Sequence, residues 1–146
     1  MNILFVCHGN ICRSVMAEMI LRHMAKETGR NDIIVDSCAT STEEIGNDIY
    51  PPAKRCLSLH NIPFIHHEAR QITRNDFNRY DHIYCMDHNN LRNLRRMFGD
   101  EYASRVQMLM TLVGEDREVA DPWYTGDFEA TYRDVVTGCN EILKTL

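Results

Sequence analysis

The sequence has little excess positive charge and no long run of apolar residues. Its 146 residues include 16 lysines and arginines against 21 acidic residues, which gives a formal net charge of -5. Because polyanions are bound by excess positive charge, this balance predicts neither a nucleic-acid surface nor an anionic-membrane surface. The first residues, MNILFVCHGN, contain no lysine or arginine and only a short apolar run, so neither a signal peptide nor a membrane span is expected. We therefore expect a cytoplasmic protein.

Cysteine is also scarce for a disulfide-stabilised protein of this length. The six cysteines fit a reducing compartment in which most of them are packed thiols. A hydrophobic content of 44% is enough to fill one core. Residues 1–146 are therefore expected to form one domain, and we expect a monomer.

Short apolar runs alternate with helical patterns along the chain. The runs predict strands at residues 2–6, 33–35, 82–86 and 106–110. Helices are predicted between and after them, beginning near Ser14, Pro51, Asp87 and Phe128. This alternation predicts an α/β fold with a mostly parallel sheet covered on both faces. Such sheets bind ligands beyond the carboxyl ends of their strands, where the segment after the first strand must lie.

The segment CHGNICRS, residues 7–14, joins the first predicted strand to the first predicted helix. Backbone N–H groups of a loop that enters a helix converge on one point and favour an anion there. Gly9 is expected to permit the sharp turn, and the planar guanidinium of Arg13 matches two oxygens of a phosphate. The same positive field would stabilise the thiolate of Cys7, which is the nucleophilic form.

The residues alone leave two interpretations of this segment open. A cysteine at a strand end is commonly a packed thiol, and an arginine at a helix start commonly faces solvent. The position between a strand and a helix, with Gly9 and Ser14 also present, favours a phosphate-binding loop.

The octet resembles the phosphate-binding loop of the low-molecular-weight protein tyrosine phosphatases. Further segments resemble that family in the same order, namely DS at 36–37, ATSTEEIGN at 39–47, HEARQI at 67–72, CMD at 85–87, DPWY at 121–124 and DFEATY at 127–132. The resemblance covers nearly the whole chain. It implies a single-domain α/β fold of the flavodoxin-like, phosphatase I type, with a four-stranded parallel sheet flanked by helices on both faces.

The resemblance also implies an activity and the residues that carry it. The enzyme would hydrolyse phosphotyrosine in proteins through a phosphocysteine intermediate and release inorganic phosphate, with no cofactor. Cys7 would be the nucleophile, Arg13 the phosphate ligand and Asp121 the general acid and base. The family's loop-supporting network matches Asn10, Ser37 and His67, with Asp87 expected near His67. The implied phosphate and substrate contacts are His8, Gly9, Asn10, Ile11, Cys12, Ser14, Glu43, Trp123 and Tyr124, with Ser14 also beside the thiolate.

The chemistry of a phenolate leaving group suits this assignment of Asp121. A carboxylic acid that protonates the departing oxygen lowers the barrier. Spacing alone fits an ordinary Asp-Pro turn equally well, and Trp123 and Tyr124 fit the core as well as the wall of an aromatic slot. Val15 stands where many family members have proline, and Glu43 where they often carry a bulky residue, so substrate preference stays open.

Other functions are compatible with the same scaffold. An arsenate reductase needs two further relay cysteines, and Cys85 has no partner at short range. A phosphoarginine phosphatase favours threonine at the position of Ile11. A redox-sensing or phosphate-binding module without turnover would cycle Cys7 and Cys12, a pair that can form a disulfide if their β-carbons come within about 4.5 Å, but it has no use for Asp121.

No metal site is predicted from the sequence. The histidines considered as ligands lack a recognisable metal spacing and fit surface or hydrogen-bonded positions, namely His66, His67, His82 and His88.

Overall fold

The computed structural model describes residues 1–146 as a parallel sheet with helices on both faces, which confirms the predicted fold class. The four strands have the order β2-β1-β3-β4 and are β1 (Asn2–Cys7), β2 (Ile34–Ala39), β3 (His82–Cys85) and β4 (Val106–Met108). The helices are α1 (Arg13–Glu27), α2 (Pro51–Leu59), α3 (Asp76–Arg79), α4 (His88–Phe98), α5 (Asp100–Ala103), α6 (Pro122–Thr125) and α7 (Phe128–Thr145), and a 3-10 helix covers Leu109–Val113. None of the helices combines the length and apolar character that crossing a membrane requires.

The side chains of β1 alternate between two cores. Ile3, Phe5 and Cys7 belong to a core that also contains residues of α1 and α7. Leu4 and Val6 belong to a smaller core that contains residues of α3, α4 and α5. A central parallel strand must bury both faces, which explains why its sequence is an uninterrupted apolar run.

Several predicted element boundaries are wrong. β2 continues to Ala39 rather than ending at residue 35, because the polar residues Asp36 and Ser37 stay in the ladder beside β1. β4 ends at Met108, where the chain turns into the 3-10 helix. The short helices α3, α5 and α6 were not predicted, because a single turn carries too little periodicity to recognise.

The four predicted helix starts are confirmed to within one residue, but of the two residues expected to cap a helix only one does so. Ser14 does not cap α1, since Cys12 occupies the cap position and no side chain provides a capping hydrogen bond. Asp87 does cap α4: its carboxylate accepts from the backbone N–H of Asn90, and the Asn90 side chain accepts from the backbone N–H of Asp87. This reciprocal pair fixes the chain direction where it leaves β3.

Candidate active site

A cavity of about 110 Å³ opens where β1 passes into α1. It lies at the carboxyl end of β1, where a parallel sheet is expected to bind its ligand. Its lining is Cys7, His8, Gly9, Asn10, Ile11, Cys12, Arg13, Glu43, Glu44, Asp121, Trp123 and Tyr124. Every predicted substrate contact except Ser14 is in this set, and Glu44 is an addition that the sequence did not signal.

Cys7 is the last residue of β1 and is almost fully buried. Its Sγ lies 3.0 Å from Ser14 Oγ and accepts a hydrogen bond from the backbone N–H of Asn10 at 3.3 Å. The Ser14 hydroxyl already accepts from the side-chain amide of Asn10 at 2.8 Å. Its own proton is therefore free to point at the sulfur when Cys7 loses its proton. Two donors thus face a Cys7 thiolate.

Asn10 connects the loop to its surroundings and has a left-handed backbone, with φ of 61°. Its side-chain amide also donates to Ser37 Oγ at 2.9 Å, and its Oδ1 accepts from the backbone N–H of Arg70 at 3.3 Å. His67 Nε2 lies 2.7 Å from the Asn10 carbonyl oxygen. Asn10, Ser37 and His67, which were predicted as one group, are therefore in direct contact.

The loop geometry corrects one prediction and adds one residue. Gly9 does not adopt a positive φ, so the left-handed turn is made by Asn10, a residue type that tolerates that conformation. Glu18 extends the hydrogen-bonded group into α1, because its Oε1 accepts from Ser37 Oγ at 2.6 Å. Glu18 is 7% exposed, but the sequence does not signal its burial, because residue 18 falls on the side of the helix away from Met16 and Ile20.

Arg13 is 2% exposed and is held by three oxygen atoms. Its Nη1 donates to Asp87 Oδ2 at 2.7 Å and to the Val119 carbonyl at 2.9 Å, and its Nη2 donates to Asp121 Oδ2 at 3.3 Å. Burial disfavours its charge, but the negative charges of Cys7, Asp87 and Asp121 outweigh burial and raise the pKa of Arg13. The guanidinium stays charged, and two of its five N–H groups remain for a ligand.

Asp87 and His67, which were expected to lie near each other, share no hydrogen bond or ion pair. Asp87 follows β3 and binds Arg13, whereas His67 binds the loop at Asn10. The strand order is the reason. β3 pairs with β1 on one side, while the segment that contains Gln71 pairs with the end of β2 on the other side, so the two residues reach the loop from opposite sides.

Asp121 and the two aromatic residues after it stand at the cavity mouth. Asp121 caps α6, with its Oδ1 accepting from the backbone N–H of Trp123 at 3.1 Å, while its Oδ2 contacts Arg13. Trp123 is 50% exposed and Tyr124 is 82% exposed, which excludes core burial. The Trp123 ring packs against Tyr50 with a centroid distance of 4.7 Å. The aromatic side chains therefore form a wall beside the cavity.

The cavity is also lined by two acidic residues, Glu43 and Glu44. His8 Nε2 lies 2.9 Å from Glu43 Oε2, and both side chains are largely exposed. Glu44 lines the cavity as well, and its Cγ lies 3.4 Å from the point where a Cβ on residue 9 would stand. That separation is an ordinary van der Waals contact, so Glu44 packs directly over the backbone of residue 9.

Cys12 borders the cavity but is a poor acid. Burial, followed by the negative charges of Cys7 and Asp121, raises its pKa to about 12. All six cysteines are free and buried. Cys85, which the sequence left without a relay partner of the kind that an arsenate reductase needs, is fully buried in β3, and burial raises its pKa as well.

The histidines that the sequence analysis weighed as metal ligands lie apart from any set of three ligands that could share an ion. One such set does occur, outside the cavity, between α2 and α7: Cys56, His60 and Glu129. The sequence does not reveal this set, because Glu129 comes from a helix 69 residues further along the chain than His60.

Comparisons with known proteins agree with this geometry. A family model described as low molecular weight phosphotyrosine protein phosphatase matches residues 2–146. The low molecular weight protein-tyrosine-phosphatase YfkJ of Bacillus subtilis is 38% identical, over 99% of this chain and 95% of the relative. The crystal structure of SP-PTP, a low molecular weight protein tyrosine phosphatase of Streptococcus pyogenes, has a TM-score of 0.88 at 37% identity and covers 99% of this chain and 92% of its own. The crystal structure of DARP, a drosophila arginine phosphatase, has a TM-score of 0.89 at 31% identity and covers 99% of this chain and 96% of its own.

Proposed function

The chain belongs to the low molecular weight phosphotyrosine protein phosphatase family, and on that premise we propose that its cavity forms a covalent phosphate on Cys7. The protein is a protein tyrosine phosphatase, which acts on phosphoproteins and releases phosphate. One observation carries the assignment of residues. The Cys7 sulfur, the Arg13 guanidinium and the Asp121 carboxylate line the same cavity of about 110 Å³.

In the first step the thiolate of Cys7 attacks phosphorus and the bond to the tyrosine oxygen breaks. The phosphate dianion is held by the loop N–H groups and by the free N–H groups of Arg13. Asp121, protonated at this stage, gives its proton to the departing phenolate and becomes a carboxylate. Its contact with Arg13 is the longest of the three at 3.3 Å, so an incoming phosphate oxygen can replace it.

In the second step water hydrolyses the phosphocysteine. The Asp121 carboxylate takes a proton from the water, the water oxygen bonds to phosphorus, and the sulfur–phosphorus bond breaks. The thiolate that leaves is received by the Ser14 hydroxyl and the Asn10 backbone N–H, whose distances from the sulfur are 3.0 and 3.3 Å. Phosphate departs and the enzyme returns to its starting state without a cofactor.

The mouth determines which phosphoproteins are preferred. Apolar Ile11 and the exposed ring of Trp123 suit an aromatic group, and a long phosphotyrosine reaches the buried sulfur more easily than a short phosphoserine. Glu43 and Glu44 carry charge that attracts basic residues flanking the phosphotyrosine. Ile11 rather than threonine also distinguishes this loop from the pattern expected of phosphoarginine phosphatases.

Trapping the intermediate tests the mechanism. Wild-type protein mixed with radiolabelled aryl phosphate and quenched in acid should retain label on the protein, and Cys7→Ser should retain none and turn over no substrate. Circular dichroism must show that the variant is folded. Turnover that survives Cys7→Ser would remove the proposed nucleophile.

Peptide substrates test the preference. Phosphotyrosine peptides should be hydrolysed far faster than phosphoserine or phosphoarginine peptides, and arginine flanks should be preferred to glutamate flanks. The Glu43→Gln/Glu44→Gln double variant should reduce that flank preference, whereas Glu101→Gln on α5 should not. An unchanged preference in the double variant would assign selectivity to other residues.

We also propose a cytoplasmic location and a monomer. Six free thiols suit a reducing compartment. Light scattering of the purified protein tests the monomer, and fractionation of the source cells tests the location.

The reversible disulfide between Cys7 and Cys12 stays a prediction. After oxidation by peroxide, reduction with dithiothreitol should restore more activity to the wild type than to Cys12→Ser.

A further inference from the structure

Helices α2 and α7 bring three potential metal ligands together outside the phosphatase cavity. One ligand atom from each of Cys56, His60 and Glu129 lies within 4.8 Å of the other two. Cys56 and His60 are four residues apart, so they share one face at the end of α2. Glu129 lies in the first turn of α7 and faces them. We propose that these three residues form a Zn²⁺ site that joins the two helices.

The distances suit a tetrahedral ion. Cys56 Sγ lies 3.7 Å from Glu129 Oε1, and His60 Nε2 lies 2.7 Å from Glu129 Oε2. Zinc bonds of about 2.0 Å to nitrogen and oxygen and about 2.3 Å to sulfur place tetrahedral ligands roughly 3.3 to 3.5 Å apart. A small shift of the exposed glutamate brings its two separations to that range, Cys56 and His60 offer ligand atoms within 4.8 Å of each other, and water supplies the fourth ligand.

The ligand types select zinc over the common hard cations. Calcium and magnesium require shells of oxygen, whereas sulfur, imidazole nitrogen and carboxylate oxygen together are typical of zinc. Burial, followed by the negative charge of Glu129, raises the pKa of Cys56 to about 11. A divalent cation offsets both effects by replacing the thiol proton, which is released to solvent when the sulfur–zinc bond forms.

The side chains are already oriented for this role. The His60 ring stacks on Tyr132 with a centroid distance of 3.6 Å and an interplanar angle of 9°. This contact holds Nε2 towards Glu129. The side chains of His60 and Glu129 are 31% and 47% exposed, so an ion can enter from solvent, while Cys56 is 3% exposed and anchors the inner side. As an exposed ion pair alone, His60 and Glu129 would contribute little to the stability of the fold.

Metal titration of a Cys7→Ser variant tests the site, because that background removes the nucleophilic thiol of the phosphatase cavity. Calorimetry with Zn²⁺ should give one equivalent, and Co²⁺ should give a thiolate-to-cobalt absorption band and the visible bands of a tetrahedral ion. Zinc should raise the melting temperature of the protein. Absence of stoichiometric binding in this background would overturn the proposal.

Ligand variants in the same background locate the ion. Zinc binding should weaken by more than about tenfold in each of three variants, Cys56→Ser, His60→Gln and Glu129→Gln. Removing a residue that only hydrogen-bonds to a metal ligand already lowers metal affinity by about 10- to 100-fold, and removing the ligand itself should cost at least as much. His23→Gln, a partly exposed histidine on α1, should leave the affinity unchanged. His60→Gln keeps the test meaningful if Cys56→Ser folds poorly, because His60 is partly exposed. A cobalt–thiolate band that persists in Cys56→Ser, or equal affinity in His60→Gln, would place the metal elsewhere.

Discussion

Replacing Asp121 by asparagine separates proton donation from the other contacts of this side chain. Asparagine is as good a helix cap as aspartate, so the hydrogen bond to the backbone N–H of Trp123, 3.1 Å in the wild type, should be kept. Arg13 loses its contact at 3.3 Å but keeps Asp87 and the Val119 carbonyl at 2.7 and 2.9 Å. The substitution therefore removes the proton while the phosphate clamp stays in place.

The expected loss falls on turnover and depends on the leaving group. General acid catalysis contributes about 10² to 10⁴ in rate, which is about 2.7 to 5.5 kcal/mol of barrier. Phenyl phosphate, whose leaving group is as basic as tyrosine, should show that loss in kcat with little change in KM. Para-nitrophenyl phosphate expels a much weaker base and should show a smaller loss. Steady-state assays of both esters give the two ratios.

A matched substitution provides the control. Asp127 caps α7 by accepting from the backbone N–H of Ala130 at 3.0 Å and does not line the cavity. Asp127→Asn should leave both kcat values near those of the wild type. An equal fall in kcat/KM for the two esters in Asp121→Asn, or a loss confined to KM, would refute proton donation by Asp121, because kcat/KM does not include the later hydrolysis of the phosphocysteine that both esters share.

Three further substitutions test the loop, the charge network and the core. Ser14→Ala removes a hydrogen bond to the charged thiolate that is worth about 1.5–3 kcal/mol, so kcat should fall about 10- to 150-fold. The phosphoenzyme should accumulate and give a burst in pre-steady-state kinetics. Absence of a burst would contradict stabilisation of the leaving thiolate by Ser14. Although burial acts in the opposite direction, hydrogen bonds from a lysine and two backbone N–H groups lower the pKa of Asp48 to about 2 from an ordinary 3.8. In urea unfolding, the wild type should therefore be more stable than Asp48→Asn by its full margin above about pH 4, and this margin should vanish as the pH falls through about 2. A margin that does not change with pH would show that ionisation of Asp48 is not coupled to folding. In Gly138→Ala the new Cβ would lie 2.5 Å from Leu109 Cγ, so thermal unfolding should show that the free energy of unfolding falls by about 1–3 kcal/mol. Thr137→Ala, on the exposed face of α7, is the control and should be nearly neutral. Equal stabilities of the two variants would show that the core relaxes around the added methyl group.

The order of the main elements was available from the sequence because each depends on local pattern. The apolar run of β1 is short and ends at a turn, which favours a strand buried on both faces, and Asp87 before α4 is a strong helix cap. The spacing from Cys7 to Arg13 placed a thiol and a guanidinium at the two ends of one loop. That loop lies at the carboxyl edge of the sheet, because the topology of parallel strands leaves no other place for it.

Contacts between distant segments were decided only by the tertiary structure. The strand order β2-β1-β3-β4 brought Asp87 to Arg13 and away from His67, and local sequence contains no information about which strands are neighbours. The left-handed turn fell to Asn10 rather than to the glycine before it, because its side chain and carbonyl are held by residues from two other segments, β2 and residues 67–70. The pairing of α2 with α7 that assembled Cys56 and Glu129 likewise depends on core packing, which is a property of the whole chain.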